Sequence, residues 1–399
     1  MVLAAIPTDN TFTKEDVADE WQHIRYLWNQ HLKASVGPLL CHASDGDSRR
    51  RHNFLQLFDA DHRTGFTLDC KGFLYAAKYD GKYPVLADSD SIHNAKKLRN
   101  PFLNPTLNLT LGRCVATFRH MLKVRDKQHF SQEEHGLQAC DVQVKDKQNW
   151  AAVQRLCRPK ALSCLNGLKE TTFDGTAAFL HVLQQCVDAF FSPTASLSQR
   201  VEKLWMVYTF FWMWRMYIHH KGKPYTLRGN FISREAYQDL ALSIHGALLY
   251  IKAMRVFFSH LPCCLHLLGS DPCENVFGQA RGLISHQVNF CFGDFLQNIN
   301  VINDLLNLKC NRPDIKFPPN KRGATTWSEG KEYDMKVLSD YSDVQTDDLM
   351  VQAMQRGREQ ALALLKELDM KQTLEENGCW SGPFNLGADD QEGIDLLMR

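Results

Sequence analysis

The chain has 399 residues, 44% hydrophobic and 23% charged, with a formal net charge of +1. That is a globular composition with enough apolar residues for a large core. It excludes a charge-rich disordered chain and a whole-chain cationic field, so any nucleic-acid surface has to be a local patch. The 13 cysteines are odd in number and irregularly spaced, which excludes a paired disulfide framework and points to a reducing, intracellular compartment.

In chain order, residues 1–34 read as a polar helix with Trp21, Ile24, Leu27 and Leu32 along its apolar side. The start, "MVLAAIPTDN", lacks the basic n-region of a signal peptide. Four β-like runs follow, "GPLLCHA", "GFTLDC", "FLYAAKY" and "YPVLADSD", separated by Asp/Gly turn residues. From about residue 91 the pattern becomes mainly helical. The helix in "SIHNAKKLRNPF" is expected to stop at Pro101.

The most apolar stretch, "LWMVYTFFWMWRMYI" at 204–218, is shorter than a membrane span and contains Arg215, so a buried helix is expected and no membrane partner. "CCLHLLGSDPC" carries three cysteines and His266 without zinc-ligand spacing. Beyond residue 309, "CNRPDIKFPPNKRG" reads as a linker. An amphipathic helix at 346–373 and the acidic tail "ADDQEGIDLLMR" come after it.

Three acidic positions draw chemical interest. "LLCHASDGDSRRR" ends an apolar run with Asp45 and Asp47 and then sets Arg49, Arg50 and Arg51 beside them. This is either an Asp-Gly turn or a metal ligand next to a phosphate path. "VLADSDSIHNAKKLRN" ends a strand at Asp88 or Asp90. A helix-capping aspartate would suffice there, yet His93 and Lys97 share its helical face, with Lys96, Arg99 and Asn100 nearby. "LGSDPCENVFGQARGL", if helical, aligns Asp271, Glu274, Gly278 and Arg281 on one stripe and Val276, Ala280 and Leu283 on the other. Carboxylates converging from these segments could hold two Mg²⁺ or Mn²⁺ ions about 3.5–4 Å apart for in-line phosphodiester chemistry.

The run D-x-x-E-x-x-F-G-x-x-R, here Asp271, Glu274, Phe277, Gly278 and Arg281, resembles the C-terminal acidic motif of P-element-like transposases, a group that includes the THAP-domain transposases. The upstream D-x-x-H-x-x-K-x-x-R-N, here Asp90, His93, Lys96, Arg99 and Asn100, is similar to that family's second acidic motif, and "ASDGDSRRR" stands where its first aspartate belongs.

The resemblance implies an α/β fold: an RNase H-like mixed sheet core, interrupted by a large, mainly α-helical insertion, with a helical C-terminal extension. The expected division is 1–36 as an N-terminal helical segment, 37–124 and 259–308 as the two parts of the core, 125–258 as the insertion, and 309–399 as linker, helix and tail. It implies a DDE triad of Asp45 (or Asp47), Asp90 and Glu274, acting with two Mg²⁺ or Mn²⁺ ions to cut and join DNA. Arg49, Arg50, Arg51, His93, Lys96, Arg99 and Arg281 would be candidate contacts to the nucleic acid.

GTP binding by the insertion, a homo-oligomeric assembly and nuclear residence follow from the resemblance alone. The family's N-terminal zinc-coordinating domain is not seen in this sequence. The alternative expectation is a catalytically silent, domesticated nucleic-acid-binding or scaffold protein of the same fold.

Overall fold

A computed structural model describes residues 12–44, 47–59, 65–70, 72–126, 130–143, 147–283, 291–312 and 333–381. Asp45, most of the expected linker and the acidic tail lie outside these residues.

Helix α1 (Lys14–His31) begins at a capping box, in which Thr13 and Asp16 satisfy each other's backbone N–H groups. Its Trp21 stacks on His42 at 4.2 Å, fixing the helix over the first strand. Strand β1 (Cys41–Ser44) leads to α2 (Ser48–Leu57). Strand β2 (Leu86–Ser89) pairs in parallel with β1, Ala43 opposite Asp88, and runs directly into α3 (Ser91–Leu103).

A tight hairpin, β3 (Leu109–Leu111) and β4 (Cys114–Ala116), precedes several short helices and then the long ones. These are α4 (Asp174–Phe191), α5 (Leu197–Lys221), the one-turn α6 (Leu227–Asn230) and α7 (Arg234–Phe258). Helices α8 (Asp271–Leu283), α9 (Phe292–Asn311) and α10 (Asp347–Glu367) follow.

Helix α5 is apolar on nearly every side, and that is why it lies at the centre. Trp205, Tyr208, Phe210 and Trp214 are all buried beneath α4, α7 and α10. The apolar stretch at 204–218 is therefore core. Helix α7 is long and apolar enough to cross a bilayer, yet 72% of that apolar window is buried inside the fold. Its far end is tied to α10, where Asp347 accepts from Lys252 Nζ at 2.6 Å and from Arg255. Helices α8 and α9 pack on each other around a small core of their own, Ala280, Phe295 and Ile302.

The expected RNase H-like sheet is corrected. Among the described residues the strands form four separate two-stranded pairs, and the architecture is predominantly helical. "GFTLDC" contributes a single bridge, Phe66 to Ala77, and "FLYAAKY" a two-residue strand at Ala76–Ala77. Short apolar runs carry no periodicity that separates a strand from a buried loop. Here Phe66, Leu68 and Phe73 bury themselves in the one large core shared with the helices instead of extending a sheet.

The P-element-like resemblance falls with the sheet. A second correction is local: α3 continues through Pro101 to Leu103. Proline removes one ladder hydrogen bond, a loss that the last turn of a helix tolerates.

Candidate functional site

The end of β2 buries two carboxylates completely, Asp88 and Asp90. Asp90 is the N-cap of α3, accepting from the His93 N–H at 2.9 Å. Its Oδ2 also accepts from the Ser270 N–H at 2.7 Å and from the Ser270 hydroxyl at 2.6 Å. Burial opposes its ionisation, but His93 and Ser270 more than offset that and hold the carboxyl well below the usual range. Gly269 makes the approach possible: its φ is +154°, and a Cβ there would stand 3.1 Å from Asp90 Oδ2.

Asp88 is the opposite case. Burial, only partly offset by Ser243 and reinforced by the charge of Asp90, pushes its carboxyl well above the carboxylate range.

The structure does bring Asp90 and Glu274 to one place. An imidazole fills the space between them: His93 Nδ1 is 3.3 Å from Asp90 Oδ2, and Nε2 is 3.3 Å from Glu274 Oε1. No group of three or more His, Cys, Asp or Glu side chains arranged to hold a metal occurs among the described residues. The expected DDE transposase, with two-metal cleavage and joining of DNA, is corrected on these grounds. Asp90 serves as a helix cap that receives donors from α8's leading turn.

The remaining expected residues are placed as follows. Asp47 pairs with Arg49 at 3.1 Å, and Arg49 also lies 3.6 Å over the Phe12 ring. Arg50 is half-buried, Lys96 is buried and Arg281 is exposed. Arg99 is fully buried and donates to the carbonyls of Cys140 and Asp141, joining α3 to the segment that follows the hairpin.

Arg51 leads to a cleft lined largely by cations. On one side of α7's first turns, Arg51 Nε donates to Asp239 Oδ1 at 2.5 Å, and Lys97 Nζ donates to Asp239 Oδ2 at 2.7 Å. Asn94 donates to the Asp239 carbonyl at 3.3 Å. Asp239 is fully buried, and two cations from α2 and α3 converge on it, the pairing that a buried carboxylate requires.

In front of this cluster opens a cleft of about 1070 Å³. Its charged lining is Arg51, Lys97, Lys147, Arg215, Arg228 and Arg234 against one carboxylate, Glu235. Arg215 lies 5.1 Å over the ring of Tyr237, which forms part of the wall. Arg228 and Lys147 have no ion-pair partner among the described residues.

Sequence reasoning located Arg51 but not the partner that fixes it. Asp239, Arg215, Arg228, Arg234 and Tyr237 fall in the segment read as insertion, where spacing signals only helix. The one local cue is "FISREAY", in which Ser233 caps α7 by accepting from the Ala236 N–H at 3.2 Å. A capped helix start flanked by arginines is a weak but physical sign of anion affinity. Searches of protein-family models, curated proteins and solved structures return no match to this chain.

Proposed function

We propose that the protein binds the phosphate backbone of a nucleic acid through the cleft at the start of α7. The carrying observation is the lining: six cationic side chains drawn from several segments, of which Arg51 and Lys97 are paired with Asp239, and Glu235 as the one carboxylate of the lining. With a formal net charge of +1 for the chain, this is a concentrated local field, the form that attracts a polyanion. Phe231 and Tyr237, the aromatic residues of the lining, are buried, at 3% and 2% exposure. Neither offers a free face for base stacking, which favours contact to phosphates over contact to bases.

The test is the binding of fluorescently labelled duplex DNA, followed by anisotropy over a series of salt concentrations. The expected result is sequence-independent binding that weakens steeply with salt. Arg228→Gln and Lys147→Gln should each flatten the log–log slope by about 0.9. Absence of binding at low salt, or slopes unchanged in both variants, would refute the reading.

A further inference from the structure

We propose that α9 docks antiparallel on the α9 of a second copy of this chain, through a face turned away from α8. That face shares no residue with the cleft at the start of α7.

Helix α9 carries two apolar stripes. On the inner one Phe295 and Ile302 are buried and Ile299 packs beside them, against Ala280 and Val276 of α8. About a third of a turn round the helix lies the outer one, where Val301 is 46% and Leu308 39% exposed and Leu305 is half-buried. Along it Asp294, Asn298, Val301, Leu305, Leu308 and Arg312 recur at alternating steps of four and three residues, the spacing of a coiled-coil seam. A helix packed on one neighbour has one stripe to bury; the second is surplus to α8.

The occupant follows from the way the outer stripe complements itself. A two-fold axis beside Asn303 sets Val301 against the second copy's Leu305 and Leu308 against its Asn298, each contact occurring twice as an isologous interface requires. The same rotation sets Asp294, in the first turn, against Arg312 at the C-cap. Hydrogen bonds from the Cys291 side chain and N–H hold the Asp294 carboxyl below the usual range, so it meets the guanidinium as an anion. A parallel pair would instead oppose Asp294 to Asp294 and Arg312 to Arg312, like charges at both ends. Asn298 donates to the Asp294 carbonyl at 2.8 Å, so the polar residue in the seam keeps a partner and marks the register.

The experiment is sedimentation of the full chain over a concentration series, for the wild type, Val301→Glu and Leu308→Glu. Both side chains are exposed in the single chain, and thermal melting checks that the variants fold. Alongside, the Arg312→Lys variant is treated with a zero-length carbodiimide and its cross-linked peptides are identified by mass. Positions 294 and 312 lie about 27 Å apart along one helix, at ~1.5 Å per residue, so a direct amide between them joins two copies.

The expected result is a mass that rises with concentration toward twice the 45.8 kDa of the chain. Each glutamate variant should weaken association on the order of a hundredfold, because it seats two unpaired carboxylates in the seam, and the 294–312 link should form. A chain that stays monomeric at every concentration would overturn the proposal, as would a dimer indifferent to both variants. A dimer that forms without the 294–312 link would overturn the antiparallel pairing.

Discussion

The end of β2 and the start of α7 both bury aspartates, and they do so by different physics. At the strand end Asp90 is charged and satisfied by neutral donors from Ser270 and by His93, while burial pushes the carboxyl of Asp88, two residues earlier, well above the carboxylate range. At the helix start Asp239 is satisfied by two full cations, Arg51 and Lys97. The strand end is thus closed by its own hydrogen bonds, whereas the helix start gathers cations beyond those its carboxylate needs. Buried acid at the end of a strand does not by itself mark a metal site, and the surplus of partners at Asp239 is the more informative asymmetry.

The largest expected effect breaks the helix-start side. Asp239→Ala strands Arg51 and Lys97 without their counter-charge and should cost about 3–5 kcal/mol, read from urea unfolding. Replacing Arg51 by Met in the same background should recover a large part of that loss, since a buried ion pair and a packed apolar pair are of similar worth. A near-silent Asp239→Ala would mean that the pairs do not hold the cleft.

Asp90→Asn sharpens the strand-end side, at about 1.5–3 kcal/mol for hydrogen bonds to a charged group. Its sign follows from the depressed pKa of Asp90. Stability from the carboxylate is fully present above the unfolded value of about 3.9 and is lost as pH falls through the folded one. Unfolding free energies measured from pH 6 downward should therefore drop in the wild type and stay flatter in the variant.

The two regions are pressed together at Gly246 of α7, where a Cβ would lie 2.3 Å from the Ala87 carbonyl oxygen. Gly246→Ala should cost about 1–3 kcal/mol by overpacking, seen as a lowered melting temperature; an unchanged one would show that β2 and α7 slide freely.

Smallest, and opposite in direction, is Asp88→Asn. A carboxyl whose folded pKa is raised favours the fold below its unfolded pKa and loses that contribution as pH rises toward the folded value. The variant should therefore be more stable than wild type at pH 7 and less so near pH 3; equal stability at both would rule out a neutral Asp88.

Several elements were legible because their signals are local. The N-terminal helix, the α3 start at Asp88 or Asp90, the buried character of 204–218, the helix from Asp271 and the helix near 346–373 all follow from periodicity or capping. Their observed bounds, such as Lys14–His31 and Asp347–Glu367, lie inside or near those expected. On α8 the spacing correctly set Ala280 inward, but Leu283 is 37% exposed because the helix has only α9's small core to face. The sheet failed for the converse reason: strand pairing joins distant segments, and a run such as "GFTLDC" packs into a helical core as readily as into a sheet.

The sequence by itself determined many of the helical segments, that an aspartate at the strand end caps α3, and that any anion surface had to be local, because propensity, periodicity and net charge are properties of neighbouring residues. Only the tertiary structure decided that Arg51 and Lys97 meet Asp239, 188 and 142 residues away. It alone set His93 between Asp90 and Glu274, and gathered Arg215, Arg228 and Arg234 around one cleft. Charge balance in a low-dielectric interior depends on distances across the fold, and no spacing along the chain encodes them.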